Sequence, residues 1–364
     1  MTDIYSLDAY DYDLPESRIA QTPAVPRDSS RLLVWHVPEN RTEGRVFRDI
    51  AEYLGPDDLL VLNDTRVLPA RLTGNKVRGG GKVEILLLEP VESDFCRWRA
   101  LVRPGRRLPP GSEVLVGDRV LRIESAEEEG IRVLRVGTGR EDVTAFLECR
   151  GVMPLPPYIK TKGLPREAYQ TIFAARDGSV AAPTASLHFT EDLVERIRER
   201  GTSIAWVTLH VGLGTFRPVK ARDIRQHHIH SEYCEMPEAT AEAVRACRRR
   251  KGRVVAVGTT VTRTLESMAG EDGTVTAGIK NTDLFIRPGY DYKVVDALVT
   301  NFHLPKSSLL MLVAAFVAHL RDRVSEDREA KERDALEALR RLYALAVAEE
   351  YRFFSFGDAM FICK

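Results

Sequence analysis

RVVAVGTTVTRTLES, residues 253–267, decides the fold. Its short, uniformly apolar run from Val254 to Val257 reads as a buried strand. Gly258, Thr259 and Thr260 make a turn, and a helix follows. The plan recurs in KVVDALVTNFHLPKSSLLML (293–312), which passes through Thr300, Asn301, Phe302 and His303, with Ser307 placed to cap its helix. A further strand lies in SIAWVTLHVGLGTF (203–216), where alternation puts Thr208 and His210 on the face opposite Val207, Leu209 and Val211. Strands that repeatedly enter helices through small or polar loops predict an α/β fold with a mostly parallel sheet. Such folds bind ligands at the carboxyl ends of the strands.

SVAAPTASLHFT (179–190) fits that design. Pro183 argues against a helix interior, and the scarcity of branched residues argues against a core strand. Thr190 is placed to cap a helix that begins with Glu191 and Asp192, buries Leu193 and Ile197, and stops at Gly201. The small residues therefore sit at the mouth of the sheet, where a flat ligand can approach the backbone. His188 and Phe189 are positioned to meet that ligand's polar and π surfaces.

A chain of 364 residues exceeds what one core usually serves, so two domains are expected. From about Ala70 the texture changes to short branched segments (VEILLLE, WRALVRP, EVLVG, RVLRI) divided by glycine, proline and charge. This predicts a small antiparallel sheet or barrel over residues 70–150, inserted into an α/β domain made of 1–69 and 151–364. GVMPLPPYIK (151–160) is the connector returning from it, and RGGGK (78–82) and RPGRR (103–107) place positive charge on its loops.

Charge is balanced, with 53 basic and 53 acidic residues, so a nucleic-acid site has to be local. Five scattered cysteines without a C-x-x-C pair suit a reducing, cytoplasmic setting. MTDIYSLDAYDYDLPES lacks the apolar core of a secretory signal. The run from Leu309 to Leu320 is shorter than the roughly 20 residues of a membrane span, so no membrane association is expected.

Single motifs leave the chemistry open. HVGLGTFRP has G-x-G spacing at Gly212 and Gly214 but no third glycine, and no phosphate loop of the G-x-x-x-x-G-K-[ST] type occurs. HHIHSEYC offers His228, His230, Glu232 and Cys234 at spacings that match no zinc pattern, so no metal is expected. NDTR (63–66) is a turn or a site, Arg66 and Arg71 suit phosphates or solvent, and Lys306 precedes a helix amino end that favours anions.

Together, YDLPESRIAQTPAVPRDSSRLLV, VLNDTRVLPARL, GGGKVEILLLE, GVMPLPPYIK, YQTIFA, GSVAAPTASLHFT, VTLHVGLGTFRPV, HIHSE, VAVGTTVTRTLES, LFIRPGY, VVDALVTNFHLPKSSLLMLV and YRFFSFGDAMFI resemble the S-adenosylmethionine:tRNA ribosyltransferase-isomerases of queuosine synthesis, in order and over nearly the whole chain. The resemblance implies an α/β domain with an inserted barrel. It implies transfer and rearrangement of the ribosyl group of S-adenosylmethionine onto 7-aminomethyl-7-deazaguanine at the tRNA wobble position, giving epoxyqueuosine, adenine and methionine. S-adenosylmethionine is then a co-substrate, no cofactor is needed, and the acting unit is expected to be a monomer. Ser186 stands where the family's P-T-A-G-L-H-F has glycine.

On the matching motifs, His188, His210 and His303 are candidates for proton transfer, with Glu232 and Asp64 as carboxylate alternatives. Thr184, Gly212, Gly214, Thr215, Gly258, Thr259, Thr260 and Asn301 are candidates for binding the co-substrate. Phe189, Phe216 and Phe302 are candidates for stacking on a base, and Arg66, Arg71, Arg263 and Lys306 for holding phosphate or carboxylate. A methyltransferase would instead yield S-adenosylhomocysteine, and a noncatalytic tRNA-binding module would consume nothing.

Overall fold

A computed structural model describes residues 3–92, 94–212, 219–321 and 327–364. β1 (Arg31–His36) and β2 (Arg41–Val46) form a hairpin, followed by the wholly buried β3 (Leu59–Asn63) and the short β4 (Thr65–Val67). Six antiparallel strands come next: β5 (Arg71–Lys76), β6 (Lys82–Pro90), β7 (Arg97–Arg103), β8 (Glu113–Val116), β9 (Arg119–Ala126) and β10 (Ile131–Arg135). They close into a barrel in the order β10-β7-β6-β5-β8-β9. Alternate residues such as Leu72, Val83, Ile85, Trp98 and Leu121 fill its interior. α1 (Arg140–Arg150) adds Val143, Phe146 and Leu147 to the same core. The barrel's entry and exit lie side by side, with Arg71 bridged to Val152. Gly151 is pressed so closely on Pro69 that a Cβ would stand 1.8 Å from its carbonyl oxygen.

The chain then forms β11 (Arg176–Ser179), paired with β4, and α2 (Glu191–Glu199), β12 (Ser203–Leu209), β13 (Glu232–Met236), α3 (Glu238–Arg249), β14 (Val254–Val257) and α4 (Thr259–Ser267). β15 (Gly278–Thr282), β16 (Ala297–Asn301), α5 (Ser308–Leu320), α6 (Arg328–Ala348) and β17 (Ala359–Cys363) complete it. Nine strands form the main sheet in the order β15-β13-β12-β3-β14-β16-β17-β1-β2. The central four, β12, β3, β14 and β16, are mutually parallel, and antiparallel pairing appears toward the margins.

Strand alternation divides the sheet's residues between two cores. Leu60, Leu62, Val255 and Val257 pack with α2 and the 47–53 turn, while Leu59, Val61, Val254 and Ala256 pack with α3 to α6. The two foreseen caps are present: Thr190 Oγ1 accepts from the Leu193 N–H at 3.2 Å, and Ser307 Oγ from the Leu310 N–H at 3.3 Å. Among the described residues no helix is long and apolar enough to cross a membrane.

Two aromatic expectations are corrected here. Phe189 and Phe302 are both 0% exposed. Phe189 packs edge-on against Phe47 and Phe173, and Phe302 lies among Tyr343, Tyr351 and Phe353. Each follows a polar residue at the sheet's mouth but turns inward, where the burial of a whole ring is favourable, and neither offers a face to a base.

Candidate functional site

The carboxyl ends of the parallel strands open into one cleft. Its walls come from residues 181–185, Val211, Glu232, the Gly258–Thr260 turn with Arg263, Thr300, Asn301 and His303, and the aromatic segments around Tyr158, Tyr169 and Phe354. Gly258 has φ +89°, the left-handed region that glycine enters without steric penalty, and this lets β14 turn sharply into α4. Among the described residues no side chain caps that helix, and the residues that open it, Gly258 to Thr260, line the cleft. A Cβ on Gly258 would already stand 3.4 Å from that of Ala185, which is why small residues line both walls.

Asn63, fully buried at the end of β3, ties these pieces together. Its Oδ1 accepts from the Thr65 and Leu209 amides at 3.0 and 3.2 Å, and its Nδ2 donates to Leu209 O and Thr260 Oγ1 at 3.0 and 3.2 Å. A fully satisfied side-chain amide in this position fixes the register of three elements at the cleft.

The three histidines have different surroundings. His303 lines the cleft, with Nε2 bonded to Thr300 Oγ1 at 3.0 Å. Burial lowers its pKa to about 3, so the imidazole is neutral at physiological pH. His188 lies behind the wall, its Nδ1 bonded to Ser30 Oγ at 2.8 Å and its Nε2 accepting from Asn301 Nδ2 at 3.0 Å. Asn301 Oδ1 in turn accepts from Thr184 Oγ1 at 3.0 Å, so His188 positions two cleft residues. Burial, then the nearby Arg352 and Arg27, lower its pKa to about 3. His210 points to the far face of β12, where Nδ1 meets Thr65 Oγ1 at 2.7 Å and the ring stacks on Tyr233. Burial, then Arg140, lower its pKa to about 4.

The polar face of β12 is therefore satisfied by protein. Thr208 Oγ1 donates to Asp64 Oδ1 at 2.6 Å, and burial raises the Asp64 pKa. His188, His210 and Asp64 all lie outside the cleft wall, which corrects their reading as groups that face the reacting atoms. Glu232 does reach it: Oε1 accepts from the Gly212 N–H at 2.9 Å, and Oε2 forms a buried ion pair with Arg263 Nη1. Arg263 also donates to Leu284 O at 3.1 Å and Thr282 O at 3.3 Å, so its charge serves the protein.

Thr184, Gly258, Thr259, Thr260, Arg263, Asn301, Glu232 and His303 are thus brought together, with Gly212 at the edge through Glu232. Gly214, Thr215 and Phe216 lie outside the described residues. Three of the candidate cations lie outside the cleft. Lys306 is held by Asp8 and Asp11 at 2.8 and 3.0 Å, Arg66 lies within 3.7 Å of Glu148 and Asp177, and Arg71 is paired with Glu84. None of the three lines the cleft. Ser186 has no positive φ and sits in a 3₁₀ turn, so the backbone there does not demand glycine; its buried hydroxyl has no partner among the described residues.

Sequence reasoning missed the aromatic side of the site. Tyr158 and Phe354 meet edge-to-face at 4.3 Å, and Tyr158 OH is bonded to Ser355 Oγ. Phe354 has φ +70°, a conformation bulky residues rarely adopt and one that marks functional sites. The only signal was polar residues beside aromatics in PLPPYIK and RFFSFGD, which equally suit a connector and a core strand.

Two buried neutral histidines also govern acid stability. His188 and His303 have folded pKa values near 3 against 6.5 in an open chain. The unfolded chain therefore binds more protons between those values, and stability is full above about pH 6.5 and falls as pH drops. Between pH 7 and 5 the loss is expected to be about 2 kcal/mol for each histidine. Urea unfolding at both pH values checks this, and a midpoint that does not move would refute it.

Comparison with known proteins gives concordant results. A family described as queuosine biosynthesis protein matches residues 7–362. The chain is 48% identical over 358 residues to the S-adenosylmethionine:tRNA ribosyltransferase-isomerase of Moorella thermoacetica, covering 98% of this chain and 99% of the relative. It is 49% identical over 359 residues to the protein of the same name from Symbiobacterium thermophilum, with the same coverage. It also resembles the crystal structure of S-adenosylmethionine tRNA ribosyltransferase from Thermotoga maritima, with TM-score 0.54, 37% identity, and coverage of 97% of this chain and 99% of that one.

Proposed function

Because the chain belongs to the queuosine biosynthesis protein family, as an S-adenosylmethionine:tRNA ribosyltransferase-isomerase, we propose that the cleft is where the ribosyl group of S-adenosylmethionine passes to 7-aminomethyl-7-deazaguanine in the tRNA anticodon. The products are epoxyqueuosine in the RNA, adenine and methionine. The observation that carries this reading is one cleft that combines a neutral imidazole, an uncapped helix amino end and an aromatic wall.

Each feature suits one part of S-adenosylmethionine. The small-residue wall of Ala181, Ala182 and Ala185 lets a flat adenine lie close to the backbone. The amino end of α4 suits the methionine carboxylate. The rings of Tyr158 and Phe354 suit the sulfonium, since cations are attracted to aromatic faces.

The sulfonium acidifies the adjacent C5′ hydrogens. His303 takes one of them, the ylide so formed helps expel adenine, and the resulting imidazolium carries the proton that adenine needs on leaving. In that step the C4′–O4′ bond breaks and O4′ becomes a C1′ aldehyde as adenine leaves. The amine of the RNA base adds to C4′ and loses a proton, C5′ closes on C1′, and the alkoxide formed there displaces methionine from C5′ to make the epoxide. S-adenosylmethionine is consumed as a co-substrate, and no metal or redox group takes part in these steps. Exclusion of water protects the activated sugar, which suits a cleft walled by aromatics.

The test follows adenine, methionine and RNA mass together, using S-adenosylmethionine and an anticodon stem-loop that carries the modified base. RNA-dependent release of both small products with the matching gain in RNA mass is expected. S-adenosylhomocysteine would identify methyl transfer instead.

A further inference from the structure

We infer that the end of the barrel remote from the sheet is a docking surface for the phosphodiester backbone of the tRNA, outside the anticodon loop. This rests on the reaction proposed above. Six cations gather there: Lys76, Arg78 and Lys82 from the β5–β6 hairpin, and Arg103, Arg106 and Arg107 from the end of β7 and the turn after it. The two loops are joined, because Lys76 Nζ donates to Arg107 O at 2.5 Å.

What marks this cluster is that its cations are not engaged by carboxylates. Most arginines elsewhere on the barrel are paired with carboxylates: Arg71 with Glu84, Arg97 with Glu92, Arg99 with Glu89 and Glu127, Arg119 with Asp142, and Arg135 with Glu124, while Arg132 donates to the Leu108, Ile131 and Gly105 carbonyls. None of the six forms an ion pair among the described residues. The carboxylates on the same end are Glu84, which is taken by Arg71, Glu127 of the β9–β10 turn, which is taken by Arg99, and the exposed Glu113 and Glu128. A balanced protein that leaves six cations together unneutralised presents a local field for a polyanion.

The shape of this end fits the same partner. Gly79 and Gly80 turn the hairpin with φ of +88° and +66°, and a Cβ on either would meet nothing within 4 Å, so a backbone can approach closely. β5 starts beside the sheet, where Arg71 bridges Val152, and ends at Lys76. Its length sets the cluster roughly 17 Å farther out, at about 3.3 Å per residue. A substrate whose modified base sits in the cleft must reach that far, which an RNA with helical arms does and a free nucleoside does not. Contacts of this kind fix position and carry no base sequence.

The test compares full-length tRNA binding by the parent, by Arg78→Ala/Lys82→Ala/Arg106→Ala/Arg107→Ala, and by a control, Arg97→Ala/Arg99→Ala/Arg135→Ala, across a salt series. The first variant is expected to lower the slope of log Kd against log salt by about 3 and to weaken binding at low salt at least about tenfold. Its kcat at saturating tRNA should match the parent's, and the control should keep the parent's slope. An unchanged slope in the first variant, or an equal drop in both, overturns the inference. A parent that binds tRNA with a steep slope yet releases no adenine overturns the reaction reading and leaves the slopes to judge the surface.

Discussion

Replacing His303 with glutamine is expected to lower turnover by at least about a hundredfold while leaving the fold intact, since general base catalysis contributes roughly 10² to 10⁴ in rate. Of the three candidate histidines it alone lines the cleft, and Thr300 Oγ1 engages its Nε2. In the tautomer in which Nε2 donates to Thr300 Oγ1, Nδ1 is the nitrogen left to accept a proton. Thr300→Val should therefore cause a smaller loss by releasing the ring's orientation. Burial has already moved the imidazole's titration far below neutrality, so the acid limb of kcat/KM should fall below pH 5, whereas an exposed histidine would show it near 6.5. Adenine release by His303→Gln within several-fold of the parent would remove the assignment and leave Glu232 as the remaining cleft candidate.

The second large effect concerns stability. Arg263→Ala is expected to destabilise the protein by about 3–5 kcal/mol, because it leaves the Glu232 carboxylate buried and unpaired. The side chains of Arg263 and Glu232 are 9% and 5% exposed, and the pair ties α4 to β13 while Glu232 holds the Gly212 amide. Removing both charges together, as in Glu232→Gln/Arg263→Met, should recover a large part of the loss, since the unpaired charge is the main penalty. Urea midpoints of the three proteins measure this. Equal midpoints for Arg263→Ala and the parent would mean that the pair contributes little. If the double variant is as unstable as Arg263→Ala, the loss lies in the donors to Leu284 O and Thr282 O.

The strand-and-turn grammar of 253–267 and 293–312 was legible because periodicity and turn chemistry are local. The same is true of the barrel texture and the two helix caps. The division of roles among polar residues was not. The sequence places His188, His210 and His303 alike at the mouth of the sheet, yet one lines the cleft, one braces its wall and one turns to the far face. That outcome depends on which tertiary neighbour each nitrogen meets: Ser30 and Asn301, Thr65, or Thr300. Phe189 and Phe302 went astray for the same reason, since an aromatic residue after a polar one at the sheet's mouth can turn inward or outward with identical local sequence. Tyr158 and Phe354 entered the site from segments that read as connector and strand, through contacts between residues nearly 200 apart.

The pairing of β1 with β17 bears on how the molecule is made. The bond from the Arg31 amide to Asp358 Oδ1 beside it spans 327 residues, and the whole barrel lies within that span. Closing so long a loop is entropically unfavourable and brings no local reward, so contacts of this order form late. The barrel strands pair with near neighbours in sequence and face no such delay. Phe354 and Ser355 lie just ahead of β17 and His303 just after its partner β16, so the cleft gains its aromatic wall only as the sheet closes. A nascent chain can thus carry a finished barrel well before it has a competent cleft, and catalytic competence becomes a late readout of folding.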